Sequence, residues 1–150
     1  MKGESPLVAP WQRQRSCPAT LGELPPLLDM VREACAHMDA PQDMAHDLLL
    51  MAEEACVNIM RHAYPEGADG TLLLRVRCTH RGVELVLQDR GIPFDPLAAE
   101  PPDPLLDAMD REIGGLGVHL IRQLADRVDY RRDPALGNVL VIEKHLPPVS

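Results

Sequence analysis

The sequence predicts an α/β (α+β) two-layer sandwich, in which a mixed, mostly antiparallel sheet is covered on one face by three helices. Three observations carry this. Residues 72–78 and 83–88 alternate in the manner of strands, and His80-Arg81-Gly82 between them suits a hairpin turn. Apolar residues recur at helical spacing over about 20–38 and again over about 41–62. Two further strand-like runs, 126–131 and 139–144, flank a turn from Asp133-Pro134 to Gly137. Consecutive strands joined by tight turns pair antiparallel, and the helices then collect on one face.

The elements follow in order. Residues 8–17 form an extended segment with Trp11, Arg13 and Arg15 on one face and Gln12, Gln14 and Ser16 on the other, polar enough for a weak or edge strand. Thr20 stands three residues before Glu23, the spacing of a capping box. Pro25 and Pro26 fit only in a first helical turn. Leu24, Leu27, Leu28, Val31, Ala34, Cys35 and Met38 then make an apolar stripe. Asp39-Ala40-Pro41 breaks it, and a second helix runs to about His62, burying Met44, Leu48, Met51, Ala55 and Ile59, before Tyr64-Pro65-Glu66-Gly67 ends it. After the hairpin comes a long stretch, 91–113, rich in Pro, Asp and Gly, and loops of that length in a small domain are commonly functional or disordered. Gly114-Gly115-Leu116-Gly117 opens the third helix.

At 150 residues the chain is read as one domain, 1–150, with its core at about 8–146. Hydrophobic residues make up 45% and aromatics only 3%, so the core rests on aliphatic side chains and methionine. The net charge of −8 argues against nucleic acid or an anionic membrane as a partner, and any bound nucleotide must be held by local devices. Cys17, Cys35, Cys56 and Cys78 show no CxxC pairing and read as small buried thiols. No signal peptide or membrane span is visible, and a cytoplasmic location is expected.

Three segments carry chemistry. In the second helix Glu54, Asn58 and His62 fall at i, i+4 and i+8, on one stripe, where a carboxylate and an amide can hold a divalent cation and orient a hydroxyl; an ordinary polar helix face has the same spacing. Asp89 stands at the end of a strand, and Gly91 lets the chain turn where a ligand approaches; a carboxylate there can accept a bond from an exocyclic amine such as that of adenine. Gly115, Leu116 and Gly117 present free amides and the positive end of a helix dipole, an anion site suited to phosphates. No Lys-Ser or Lys-Thr follows, so this is not a P-loop.

In this order, with the long loop between the second and third, the segments resemble the asparagine box and two glycine boxes of the histidine kinase/gyrase-type (Bergerat) ATP-binding fold. The nearest resemblance is to the anti-sigma-factor serine/threonine kinases, through EEACVNIMRHAYPEG (53–67), DRGIPFDP (89–96) and REIGGLGVHLIRQLADRVDYRR (111–132). It covers about 11–146.

The resemblance implies ATP and Mg²⁺ as cofactors. It implies Asn58 as the Mg²⁺ ligand, Glu54 as the catalytic base, Asp89 with Gly91 at adenine, and Gly115, Leu116 and Gly117 at the phosphates. Arg61 and His62 flank the implied site. Glu53 is the rival carboxylate, one residue out of line with Asn58. A lid over 96–112 brings Arg111, its only basic residue, toward the terminal phosphate. Two positions depart from the family pattern: Pro93, where a second glycine is common, and Asn138, where many relatives have threonine. The implied partners are a STAS-domain anti-anti-sigma factor, phosphorylated on Ser or Thr, and a sigma factor or other regulatory target. Members are often homodimers. The alternative reading is an ATP-binding regulatory module that sequesters a partner without kinase activity.

Overall fold

The computed structural model describes residues 10–93 and 115–148, with residues 115–118 as backbone only. Strand β1 spans Trp11–Pro18, helix α1 Leu24–Met38, helix α2 Gln42–Asn58, strands β2 Thr71–Cys78 and β3 Gly82–Asp89, helix α3 Gly115–Leu124, and strands β4 Arg127–Asp133 and β5 Gly137–His145. The strands form one sheet in the order β1-β2-β3-β5-β4. All neighbouring pairs among the described strands are antiparallel. The sheet is thus antiparallel throughout its described pairs, with no parallel pair among them, and its order is non-sequential because β5 lies between β3 and β4. The polar β1 is an edge strand, as its composition suggests.

Period-two alternation places one residue of every second position on the helix-covered face. Across the sheet, Val76, Leu85, Ile142 and Val128 stand opposite one another, and so do Leu74, Leu87, Leu140 and Tyr130. Leu27, Val31 and Ala34 of α1, and Leu48, Met51, Ala52 and Cys56 of α2, pack onto these rows. The opposite face carries an Arg-Glu-Glu-Arg row, Arg77, Glu84, Glu143 and Arg127, with Arg77–Glu84 paired at 3.1 Å and Arg127–Glu143 at 2.6 Å.

Local structure departs from expectation in two places. The capping box does not form: Thr20 makes no side-chain cap bond, and Glu23 pairs with Arg15 at 3.1 Å. The chain enters α1 through a single 3-10 turn, Leu21–Glu23, and Pro25 and Pro26 then fall in the first turn of α1, where their missing N–H groups have no intrahelical partner to lose. The second helix does not run regularly to His62. Its α-helical part ends at Asn58 and its last turn, Ile59–Ala63, is a π-turn. Such turns recur at functional sites.

Candidate functional site

The site begins where α2 widens. Asn58 is its last α-helical residue and His62 sits in the π-turn, and both line a cavity of about 330 Å³. Ala55, Ile59 and Ala63 complete the helical wall, Ile121 comes from α3, and the sheet supplies Asp89, Tyr130, Asn138 and Leu140, with Ile92 just beyond β3. The pocket is therefore mainly apolar with a few convergent polar groups, the usual composition of a small-molecule site.

The polar floor is one row of the sheet. Leu72, Asp89, Asn138 and Arg132 stand opposite one another, one step beyond the apolar Leu74–Leu87–Leu140 row. Asp89 and Asn138 are the buried polar residues among those described, 7% and 5% exposed. A buried carboxylate needs donors, and Asp89 has two on a single oxygen: Oδ1 accepts from the Gly91 amide at 2.8 Å and from Asn138 Nδ2 at 2.9 Å. Asn138 Nδ2 also donates to the Ile92 carbonyl at 2.8 Å, and Asn138 Oδ1 accepts from the Tyr130 hydroxyl at 2.5 Å.

Gly91 is required by close approach. A Cβ there would lie 2.1 Å from the Ala63 carbonyl oxygen. The absence of one lets Ile92 N donate to that carbonyl at 2.8 Å, stitching the loop after β3 to the π-turn. Arg132 Nη1 donates to the Gly91 carbonyl at 2.8 Å from the far side. Tyr64 adds a second stitch, donating to the Thr71 carbonyl at 2.5 Å and accepting from the Arg90 amide at 2.8 Å.

The other residues singled out in the sequence distribute as follows. Glu54 is half-buried one turn before Asn58 and is not part of the cavity wall, while Glu53 is exposed. Arg61 is exposed and lines a separate surface cleft with Tyr64, Pro65 and Gly70, so the structure does not bring it to the cavity. The wide last turn is the reason, since it leaves Asn58 and His62 on the cavity side and Arg61 outside. Gly115, Leu116 and Gly117 open α3 about 6–9 Å along its axis from Ile121, at about 1.5 Å per residue. Arg111 and the 96–112 lid lie outside the described residues. Pro93 is exposed.

Tyr130, Arg132 and Ile92 were not legible as site residues. The available signal was the alternation Val128, Tyr130, Arg132 in β4, but only the β4–β5 register, with Tyr130 opposite Leu140 and Arg132 opposite Asn138, brings them to Asp89.

A family model described as the histidine kinase-like ATPase domain matches residues 17–144. The chain belongs to this family, in its anti-sigma-factor kinase branch. It is 34% identical over 103 residues to the serine/threonine-protein kinase BtrW of Bordetella bronchiseptica, covering 69% of this chain and 72% of the relative. It is 35% identical to the serine-protein kinase RsbW of Halalkalibacterium halodurans over 69% of this chain and 64% of the relative. The RsbW of Bacillus subtilis is 30% identical over 62% of this chain and 61% of the relative. For the two RsbW kinases the chain thus matches a little under two thirds of their length. The fold of this family supports ATP binding.

Proposed function

We propose that this chain is an ATP-dependent serine/threonine protein kinase of the anti-sigma-factor type. It phosphorylates a STAS-domain antagonist and sequesters a sigma factor or comparable regulator in a partner-switching system. The observation that carries this is the cavity itself, which joins Asn58 and His62 at the end of α2 to a buried Asp89 with one oxygen saturated by Gly91 and Asn138. The names of the relatives support the class of activity.

In this reading Asp89 accepts a bond from the adenine amine, the apolar walls take the base, and the amides of Gly115, Leu116 and Gly117 receive the phosphates. Asn58 offers a neutral oxygen donor on the cavity wall. No group of three His, Cys, Asp or Glu side chains able to hold a metal occurs among the described residues. A donor set of one amide oxygen with phosphates and waters suits Mg²⁺, which supplies charge neutralisation on the transferred phosphate. Glu54, one turn before Asn58, is placed as the base that receives the substrate hydroxyl proton. The four free, buried cysteines favour a reducing, cytoplasmic setting.

The test is transfer of radiolabelled γ-phosphate from ATP to a cognate STAS domain. Transfer by wild type, lost in Glu54→Gln while ATP still binds, is expected. Nucleotide binding with no transfer by wild type would instead favour a binding module, a reading that the position of Glu54 outside the cavity wall keeps in play.

A further inference from the structure

Asp89 does not stand alone on the cavity floor. Its hydrogen bonds among the described residues all fall on Oδ1, and the donor from Asn138 has a fixed orientation for a countable reason. An amide nitrogen has two hydrogens. Asn138 Nδ2 uses one on Asp89 Oδ1 at 2.9 Å and the other on the Ile92 carbonyl at 2.8 Å. Its Oδ1 must then accept, and the Tyr130 hydroxyl donates to it at 2.5 Å. The protons therefore run one way, from Tyr130 to Asn138 to Asp89. Once Tyr130 has given its proton, the atoms it and Asp89 have left to offer a ligand, the hydroxyl lone pairs and Asp89 Oδ2, are acceptors only. Tyr130, Asn138 and Asp89 all line the cavity.

We infer that Tyr130 is a positioning residue for base discrimination, holding Asn138 so that the cavity floor accepts a 6-aminopurine nucleotide and rejects a 6-oxopurine one. This rests on the nucleotide-site reading above. A 6-amino group donates to Asp89 Oδ2. A 6-oxo group would set an acceptor against that carboxylate, with the Asn138 hydrogens both committed elsewhere. Sites built on buried, directed hydrogen bonds discriminate far more strongly than apolar pockets do, because the wrong ligand leaves a group unpaired. Removing the Tyr130 hydroxyl leaves Asn138 Oδ1 without its donor. The amide then loses one of the three hydrogen bonds that fix its orientation, and it turns more readily to offer a hydrogen to a 6-oxo group.

The experiment compares ATP with inosine triphosphate in wild type and Tyr130→Phe, by competition against a fluorescent adenine nucleotide. The wild type should prefer ATP by about a hundredfold or more, and the variant should narrow that ratio by about tenfold, chiefly through tighter inosine triphosphate binding. Equal weakening of both nucleotides, or an unchanged ratio, would overturn the role of Tyr130 while leaving the nucleotide site intact. Wild type that binds neither nucleotide overturns the site and this inference together. A second measurement uses the wild type alone. The Asn138 side-chain amide protons, both donated, should appear in ¹⁵N spectra as a resolved, slowly exchanging pair, and rapid exchange of either one contradicts the proposed lock.

Discussion

Two rows of one sheet face, separated by the Leu74–Leu87–Leu140 row, behave in opposite ways. Val76, Leu85 and Ile142 stand side by side, wholly buried, with their side chains in the apolar core. Two steps along the same strands, Leu72 is followed by Asp89, Asn138 and Arg132, and Asp89 and Asn138 are themselves buried. The first row is held by surface removed from water, and the second by directed hydrogen bonds whose remaining capacity faces a cavity. The strands are uniform in geometry. The change in residue type turns an apolar floor into a polar one.

Substitutions in the two rows sharpen the contrast. Leu85→Ala should be the most damaging to stability, by about 2–5 kcal/mol, through lost burial and a cavity at the centre of the core. A urea-denaturation midpoint measures this, and a loss under about 1 kcal/mol would mean that the row is loosely packed. Gly91→Ala forces a methyl against the Ala63 carbonyl and should cost about 1–3 kcal/mol. Because the stitch between the π-turn and the loop lies at the cavity mouth, nucleotide affinity should fall as well, as calorimetric titration would show. Asp89→Asn should cost less stability, roughly 1–2 kcal/mol, yet weaken ATP binding by more than about tenfold. A variant equally damaged in both respects would erase the distinction between the rows.

A smaller effect appears only in alkali. Burial, with the neighbouring Cys17 adding to it, pushes the Cys56 thiol up to about 12, and burial pushes Cys78 up to about 11. Unfolded thiols ionise from about 9 upward, so above that pH the unfolded chain holds fewer protons than the folded one. Stability then falls as pH rises from about 9 toward 12, and is unaffected by these groups below that window. Cys56→Ala should flatten the slope above about pH 9 in urea midpoints. An unchanged slope would place the alkaline sensitivity elsewhere.

The apolar rows were legible because alternation in a strand and helical recurrence in α1 and α2 report burial directly. Asn58 was legible through its i, i+4 and i+8 spacing with Glu54 and His62, and Asp89 through its place at a strand end before Gly91. The rest depends on geometry that local pattern does not encode. Thr20 and Glu23 have capping-box spacing, but Arg15 across the turn takes the Glu23 carboxylate. The resemblance implied that Arg61 and His62 both flank the site, but only His62 lines the cavity, while Arg61 lines a separate cleft. Tyr130 reaches Asn138 only through strand register, a long-range property that no window of sequence contains.

The central claim is that an adenine nucleotide sits between the end of α2 and the Asp89–Asn138 row. Its most direct test is a ¹⁵N-resolved titration with ADP, following the Gly91 backbone amide and the Asn138 side-chain amide. Saturable shifts of both, absent in Asp89→Asn, are the predicted result. Saturable binding that moves residues of the Arg77–Glu84–Glu143–Arg127 face, and leaves these two amides still, would contradict it.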